Sequence, residues 1–133
     1  MTSPSAAALI TLLNVLLLVV ATGLVGRARG KYQVKAPATT GHPDFELAFR
    51  AQQNTLESTV MFLPCLWLAA TYNDPRIAAW LGYAWLAARL WYLFAYARPG
   101  GNRSPGFTIG AIANLGLLAM AFWGLLPPLV RIG

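Results

Sequence analysis

Residues 6–26, AAALITLLNVLLLVVATGLVG, carry no charged side chain. A bilayer core takes about 20 consecutive apolar residues as a helix. The run exceeds a signal-peptide core, follows no basic segment and lacks a small-residue cleavage site, so a span is expected rather than a removed leader. Asn14 is its main polar interruption and is expected to hydrogen-bond across a helix interface. Three further spans are expected at 44–72, 77–97 and 106–127. The second begins polar, DFELAFRAQQNTLES, then turns apolar, with Pro64 placed where it would kink the helix. Asp44 after Pro43 suits a helix start, where the dipole is positive. Asn73-Asp74-Pro75-Arg76 reads as a turn, 98–106 as a break, and Pro127-Pro128 as the end of the fourth span. Residues 27–43, RARGKYQVKAPATTGHP, read as a basic loop. The expected fold is one all-α domain over 1–133, an integral-membrane up-down four-helix bundle.

Composition supports lipid as the solvent. The chain is 57% hydrophobic and 11% charged, whereas soluble domains carry about a quarter charged residues. A chain this short in water needs a polar surface, since much of its area faces solvent. The net charge is +6, but Lys and Arg gather near expected helix ends and loops, not in the continuous stripe that tracks phosphates. Nucleic acid is therefore not an expected partner. The single cysteine, Cys65, forms no intrachain disulfide and lies in the apolar run Met61–Trp67, where a structural thiol is expected. His42 stands alone between Gly41 and Pro43, and no His/Cys/Asp cluster spells a metal site.

The cations also give an orientation. Arg27, Arg29, Lys31, Lys35 and Arg50 belong to the first loop and its edge, Arg98 and Arg103 to the third. The second loop has only Arg76, beside Asp74. By the positive-inside rule, loops one and three face the cytoplasm and both termini the opposite side.

The start of the second helix carries the chemistry. Arg50, Asn54 and Glu57 are spaced i, i+4, i+7, one narrow stripe at about 100° per residue. Gln53 lies beside the stripe and Gln52 nearly opposite. Charges at membrane depth are costly and mark functional sites by default. The plainer alternatives are a structural Arg50–Glu57 pair or the solvated start of a long helix. On the third helix Arg89, Tyr92 and Tyr96 share a face. The tyrosines alone suit an interfacial belt; Arg89, over two turns inside the span, does not. Arg103 follows at the entrance to the fourth helix. Arg takes carboxylates bidentately, Glu takes an ammonium, and Asn and Gln read amides. This set suits a small zwitterion such as a tripeptide with two carboxylates, one amine and a thiol.

Arg50-Ala51-Gln52-Gln53-Asn54-Thr55-Leu56-Glu57 resembles the R-A-Q-x-N-x-x-E signature of the MAPEG family, the membrane-associated proteins of eicosanoid and glutathione metabolism. Lys31-Tyr32 through Pro37, Thr40-Gly41 and Pro43-Asp44-Phe45-Glu46 are similar to the loop of its leukotriene C synthase and type-2 microsomal glutathione transferase branch. Tyr92, Tyr96, Ala97, Arg98 and Arg103 match that branch at the same spacing. The resemblance implies a homotrimer binding glutathione as co-substrate between subunits, near the cytoplasmic face and without a metal. It implies that Arg50, Asn54, Glu57, Tyr92 and Tyr96 line the site from one subunit, and Arg29, Gln52 and Arg103 from the neighbour. It assigns Arg103 to activating the glutathione thiol. A free thiol has a pKa of about 8.5, and each unit of depression needs about 1.4 kcal/mol of preference for the thiolate, which a partly shielded arginine supplies. The thiolate then attacks a hydrophobic electrophile dissolved among the membrane lipids.

Three features depart from the family pattern: Ser58 in place of a tyrosine after the signature Glu, Pro64 about one turn late, and Pro99-Gly100-Gly101 before Arg103. The expected activity is a glutathione transferase or peroxidase of the detoxifying kind. No residue pattern specifies an epoxide fatty acid. The alternatives are a non-enzymatic lipid-binding scaffold of the same family, opposed by the retained polar set, and a small four-helix exporter, opposed by the uncharged first helix.

Overall fold

A computed structural model describes residues 3–98 and 100–132. Met1, Thr2 and Gly133, the ends of the expected 1–133 domain, and Pro99, part of the third-loop departure, lie outside the described residues. The chain forms four helices: α1 (Ser3–Tyr32), α2 (Pro43–Tyr72), α3 (Pro75–Ala97) and α4 (Ser104–Ile132). The connections are short, so neighbours run antiparallel. α2 and α3 form the central pair; α1 packs on both from one side and α4 from the other. The α1–α2 and α3–α4 connections therefore share one end of the bundle.

The helix ends have local causes. α2 starts at His42, whose Nδ1 accepts from the Asp44 N–H at 3.1 Å, with Pro43 in the first turn and Asp44 and Glu46 facing the positive dipole end. The imidazole also stacks on Tyr32, centroids 4.3 Å apart, fastening the end of α1 to the start of α2. That is the job of the lone histidine. α3 starts at Asp74, whose Oδ1 accepts from Arg76 and Ile77.

Two stops expected from the sequence fall elsewhere. α1 does not end at residue 26 but runs through Arg27, Arg29 and Lys31 to Tyr32. Charge does not break a helix; backbone geometry does. Gln33 adopts a positive φ of 58°, and the Val34 N–H bonds back to the Arg29 carbonyl at 3.1 Å, a left-handed C-terminal cap. Val34 packs against Ala28 in a small second core with Phe45 and Ala48. Likewise α4 continues through Pro127 and Pro128 to Ile132. Proline already holds a helical φ, and each here forfeits one backbone hydrogen bond, to the carbonyls of residues 123 and 124, without stopping the helix. α2 is also unbroken at Pro64.

The core lies along the α2–α3 seam. Phe62 and Trp85 stack face to face, centroids 3.8 Å apart at 2°, among Ile10, Leu66, Leu93 and Leu117. Asn14 is buried in the α1–α2 contact, where its Nδ2 donates to Thr59 Oγ1 at 3.2 Å. Outside this core the surface is apolar: Leu12, Leu16 and Val19 on α1, Val60 on α2, Trp80 and Phe94 on α3, and Ile112, Phe122 and Trp123 on α4 are exposed. Water does not support so continuous an apolar belt; a bilayer covers it. Ser5–Tyr32 and Ser104–Leu129 are each long and apolar enough to cross a membrane by themselves. The fold is an all-α integral-membrane four-helix bundle.

Candidate functional site

The helical period of α2 turns three polar residues of its first half toward α3. Arg50, Asn54 and Glu57 line one cavity of about 420 Å³ with Tyr92 and Tyr96 of α3. Arg50 and Glu57 are both exposed to this cavity, so they are not a buried structural pair. Five neighbours complete the wall: Glu46, Phe49 and Gln53 on α2, and Thr39 with Thr40 from the α1–α2 connection. Gln53 was placed beside the stripe and Thr40 and Glu46 belong to the stretch that resembles the family loop, but none of the five was read from the sequence as a site residue. Glu46 and Phe49 continue the stripe backward by one turn, which was the available signal. The threonines depend on how the loop folds.

A second cavity of about 400 Å³ adjoins the first. It shares Asn54, Tyr92 and Tyr96 and adds Arg103, Ser104, Phe107 and Thr108 from the start of α4. The two are lobes of one groove, partitioned by Asn54 and the tyrosine pair, whose rings lie 5.2 Å apart. The Arg103 guanidinium sits over the Tyr96 ring at 4.4 Å, a cation–π contact that steadies a long side chain at the groove mouth. The segment bearing it is tied down as well. Trp91 Nε1 donates to the Asn102 carbonyl at 3.0 Å, and Asn102 Oδ1 accepts from the Ser104 N–H at 3.2 Å.

Arg29 and Gln52 do not join this groove within one chain. Gln52 faces α1, where its Nε2 donates to Thr22 Oγ1 at 3.0 Å. Arg29 Nη1 donates to the Ala38 carbonyl at 2.8 Å and to Val34 at 3.4 Å, with its guanidinium 4.9 Å from the Phe45 ring centroid. It thus holds the connection whose Thr39 and Thr40 line the groove. Arg50 with the groove can receive carboxylate, Glu46 and Glu57 an ammonium, and Arg103 a second anion across the tyrosine partition.

Comparison with known proteins gives a consistent set of relatives. The model of the MAPEG family matches residues 7–123. The chain is 47% identical over 119 residues to an uncharacterized protein of Synechocystis sp., covering 90% of this chain and 87% of the relative. It is 42% identical over 119 residues to leukotriene C4 synthase of Cavia porcellus, covering 90% of this chain and 79% of that protein. It is 41% identical over 96 residues to microsomal glutathione S-transferase 2 of Bos taurus, covering 72% of this chain and 63% of that protein.

Proposed function

The chain belongs to the MAPEG family, and from that membership and the groove we propose a membrane-bound glutathione transferase, with peroxidase action on suitable substrates. One observation carries this reading. Arg50, Asn54, Glu57, Tyr92 and Tyr96 converge on a single groove, with Arg103 held at its mouth. Glutathione brings two carboxylates, an ammonium, two amides and a thiol. Arg50 takes a carboxylate, Glu57 (with Glu46 near) the ammonium, and the tyrosine hydroxyls polar atoms of the peptide.

The Arg103 guanidinium stabilises the thiolate against the thiol. The proton leaves to solvent, the sulfur forms a bond to the electrophilic carbon, and that carbon's leaving group departs with its electron pair. No protein nucleophile takes part. The electrophile is hydrophobic and arrives through lipid, which fits a site at one end of an apolar bundle. Arg103 is exposed in a single chain, and a neighbouring subunit would shield it and strengthen its field. That supports a homotrimer with the site between subunits, Arg29 and Gln52 being supplied across the interface, whereas Arg103, which the family resemblance assigns to the neighbour, lines the groove of its own chain. The excess of Lys and Arg around the first and third connections supports a cytoplasmic position for this end, with both termini opposite.

The test is conjugation of glutathione to a generic aryl halide by detergent-purified protein. Activity is expected in the parent, with a fall of at least tenfold in kcat for Arg103→Ala. An inactive parent that still binds glutathione would favour a lipid-binding scaffold. A parent that binds no glutathione removes the site assignment.

A further inference from the structure

Among the described residues Arg89 is the only charged side chain that is fully buried, 2% exposed. Its hydrogen-bond partners are both neutral. Nη2 donates to Asn54 Oδ1 at 3.0 Å and to Thr55 Oγ1 at 2.8 Å, while Nε has no partner. The guanidinium also lies over the Tyr92 ring at 4.0 Å. A buried cation without a carboxylate is expensive to keep, so its placement behind the groove calls for a function. Chemistry narrows that function. A guanidinium only donates, so the oxygen of the Asn54 amide must face it. The amide NH₂ is then left for the groove, at the partition that Asn54 shares between the two lobes. Without Arg89, an asparagine lining a polar groove presents either end.

We propose that Arg89 is a positioning residue that fixes the polarity of Asn54, so that the partition of the groove offers an N–H donor and recognises an anionic group there. The inference rests on reading the groove as a glutathione site. It makes the carboxylate or thiolate of the ligand, not its ammonium, the group that meets Asn54. Tyr92 reinforces the arrangement: its face carries the guanidinium, and its side chain lines both lobes.

The experiment is calorimetric titration of glutathione into the detergent-purified protein, with thermal unfolding of each variant. Asn54→Asp decides most cleanly, because its carboxylate satisfies Arg89 yet turns an oxygen to the groove. Its unfolding midpoint is expected at or above that of the parent, while glutathione binds at least tenfold more weakly. Arg89→Met is expected to weaken binding by a similar factor and to raise KM more than it lowers kcat. Arg89→Lys, also a pure donor, restores most of the affinity. In an Asn54→Ala background, Arg89→Met is expected to change affinity by less than about twofold, since its effect runs through Asn54. Asn54→Asp binding glutathione as tightly as the parent or tighter overturns the proposal, as does an equal effect of Arg89→Met in both backgrounds. If Arg89→Met does not fold, Asn54→Asp alone decides. A parent that binds no glutathione overturns this inference together with the function it rests on; a parent that binds, with unaffected variants, overturns this inference only.

Discussion

Two buried glycines one turn apart on α4 are expected to respond to the same substitution in opposite directions. α4 crosses α3 at Gly106, where a Cβ would lie 2.7 Å from the Ala88 carbonyl oxygen and 2.8 Å from the Tyr92 nitrogen. Carbon–oxygen contacts normally start at about 3.3 Å, so α4 must withdraw by roughly half an ångström. The obstructing atoms are helix backbone, and no rotamer change relieves them. Overpacking of this kind costs about 1–3 kcal/mol, of which the better helix propensity of alanine offsets at most about 1 kcal/mol. Gly106→Ala should therefore destabilise by about 1–2 kcal/mol. At Gly110 a Cβ would meet Arg89 Cδ at 3.6 Å and Ala88 Cβ at 3.7 Å, ordinary contact distances. Gly110→Ala should be neutral or stabilising by up to about 1 kcal/mol. Thermal unfolding in one detergent, with both variants side by side, reads the difference. Because Tyr92 and Arg103 flank the Gly106 crossing, that variant should also bind glutathione several-fold more weakly. Unfolding midpoints that move together, or a Gly106→Ala protein as stable as the parent, would refute the close approach of α3 and α4.

Other expectations follow from single contacts. Asn14→Leu removes the α1–α2 hydrogen bond that the Asn14 amide donates to Thr59, while Thr59 keeps its own bond to the Thr55 carbonyl; a loss of about 0.5–1.5 kcal/mol is expected, read by thermal unfolding, with glutathione affinity unchanged. Arg29→Ala releases two loop carbonyls, worth about 1–2 kcal/mol of loop ordering. Faster proteolysis within residues 33–41 together with a higher KM is the expected result. A higher KM with unaltered proteolysis would leave only the contact proposed with glutathione in a neighbouring subunit's groove, without a role in ordering this loop.

The spans and the polar stripe were legible because both follow from helical period and hydrophobicity. The stripe logic also separates Gln52, which bonds to Thr22, from Asn54 in the groove. Helix ends were less legible. The basic residues after Gly26 read as loop, yet the stop is set by the left-handed Gln33 and the bond from Val34 to Arg29, neither of which charge encodes. Pro127-Pro128 read as a terminator, though each proline forfeits one backbone bond and the helix runs on to Ile132. The part of Arg89 was only half visible: its depth followed from the sequence, but not that its partners are the neutral Asn54 and Thr55. Thr39 and Thr40 enter the groove wall through the path of a loop, which no periodicity predicts.

The central claim is that a cation at the groove mouth turns the glutathione thiol into a thiolate. Ultraviolet titration of bound glutathione in the detergent-purified protein tests it directly. Deprotonation favoured by the Arg103 guanidinium lowers the thiol pKa, so thiolate absorbance should appear at lower pH than for a free thiol, whose pKa is about 8.5. In Arg103→Ala the midpoint should return toward the free value while glutathione remains bound. A bound thiol that titrates at the free value in the parent, or at the same depressed pH in both proteins, would contradict the account.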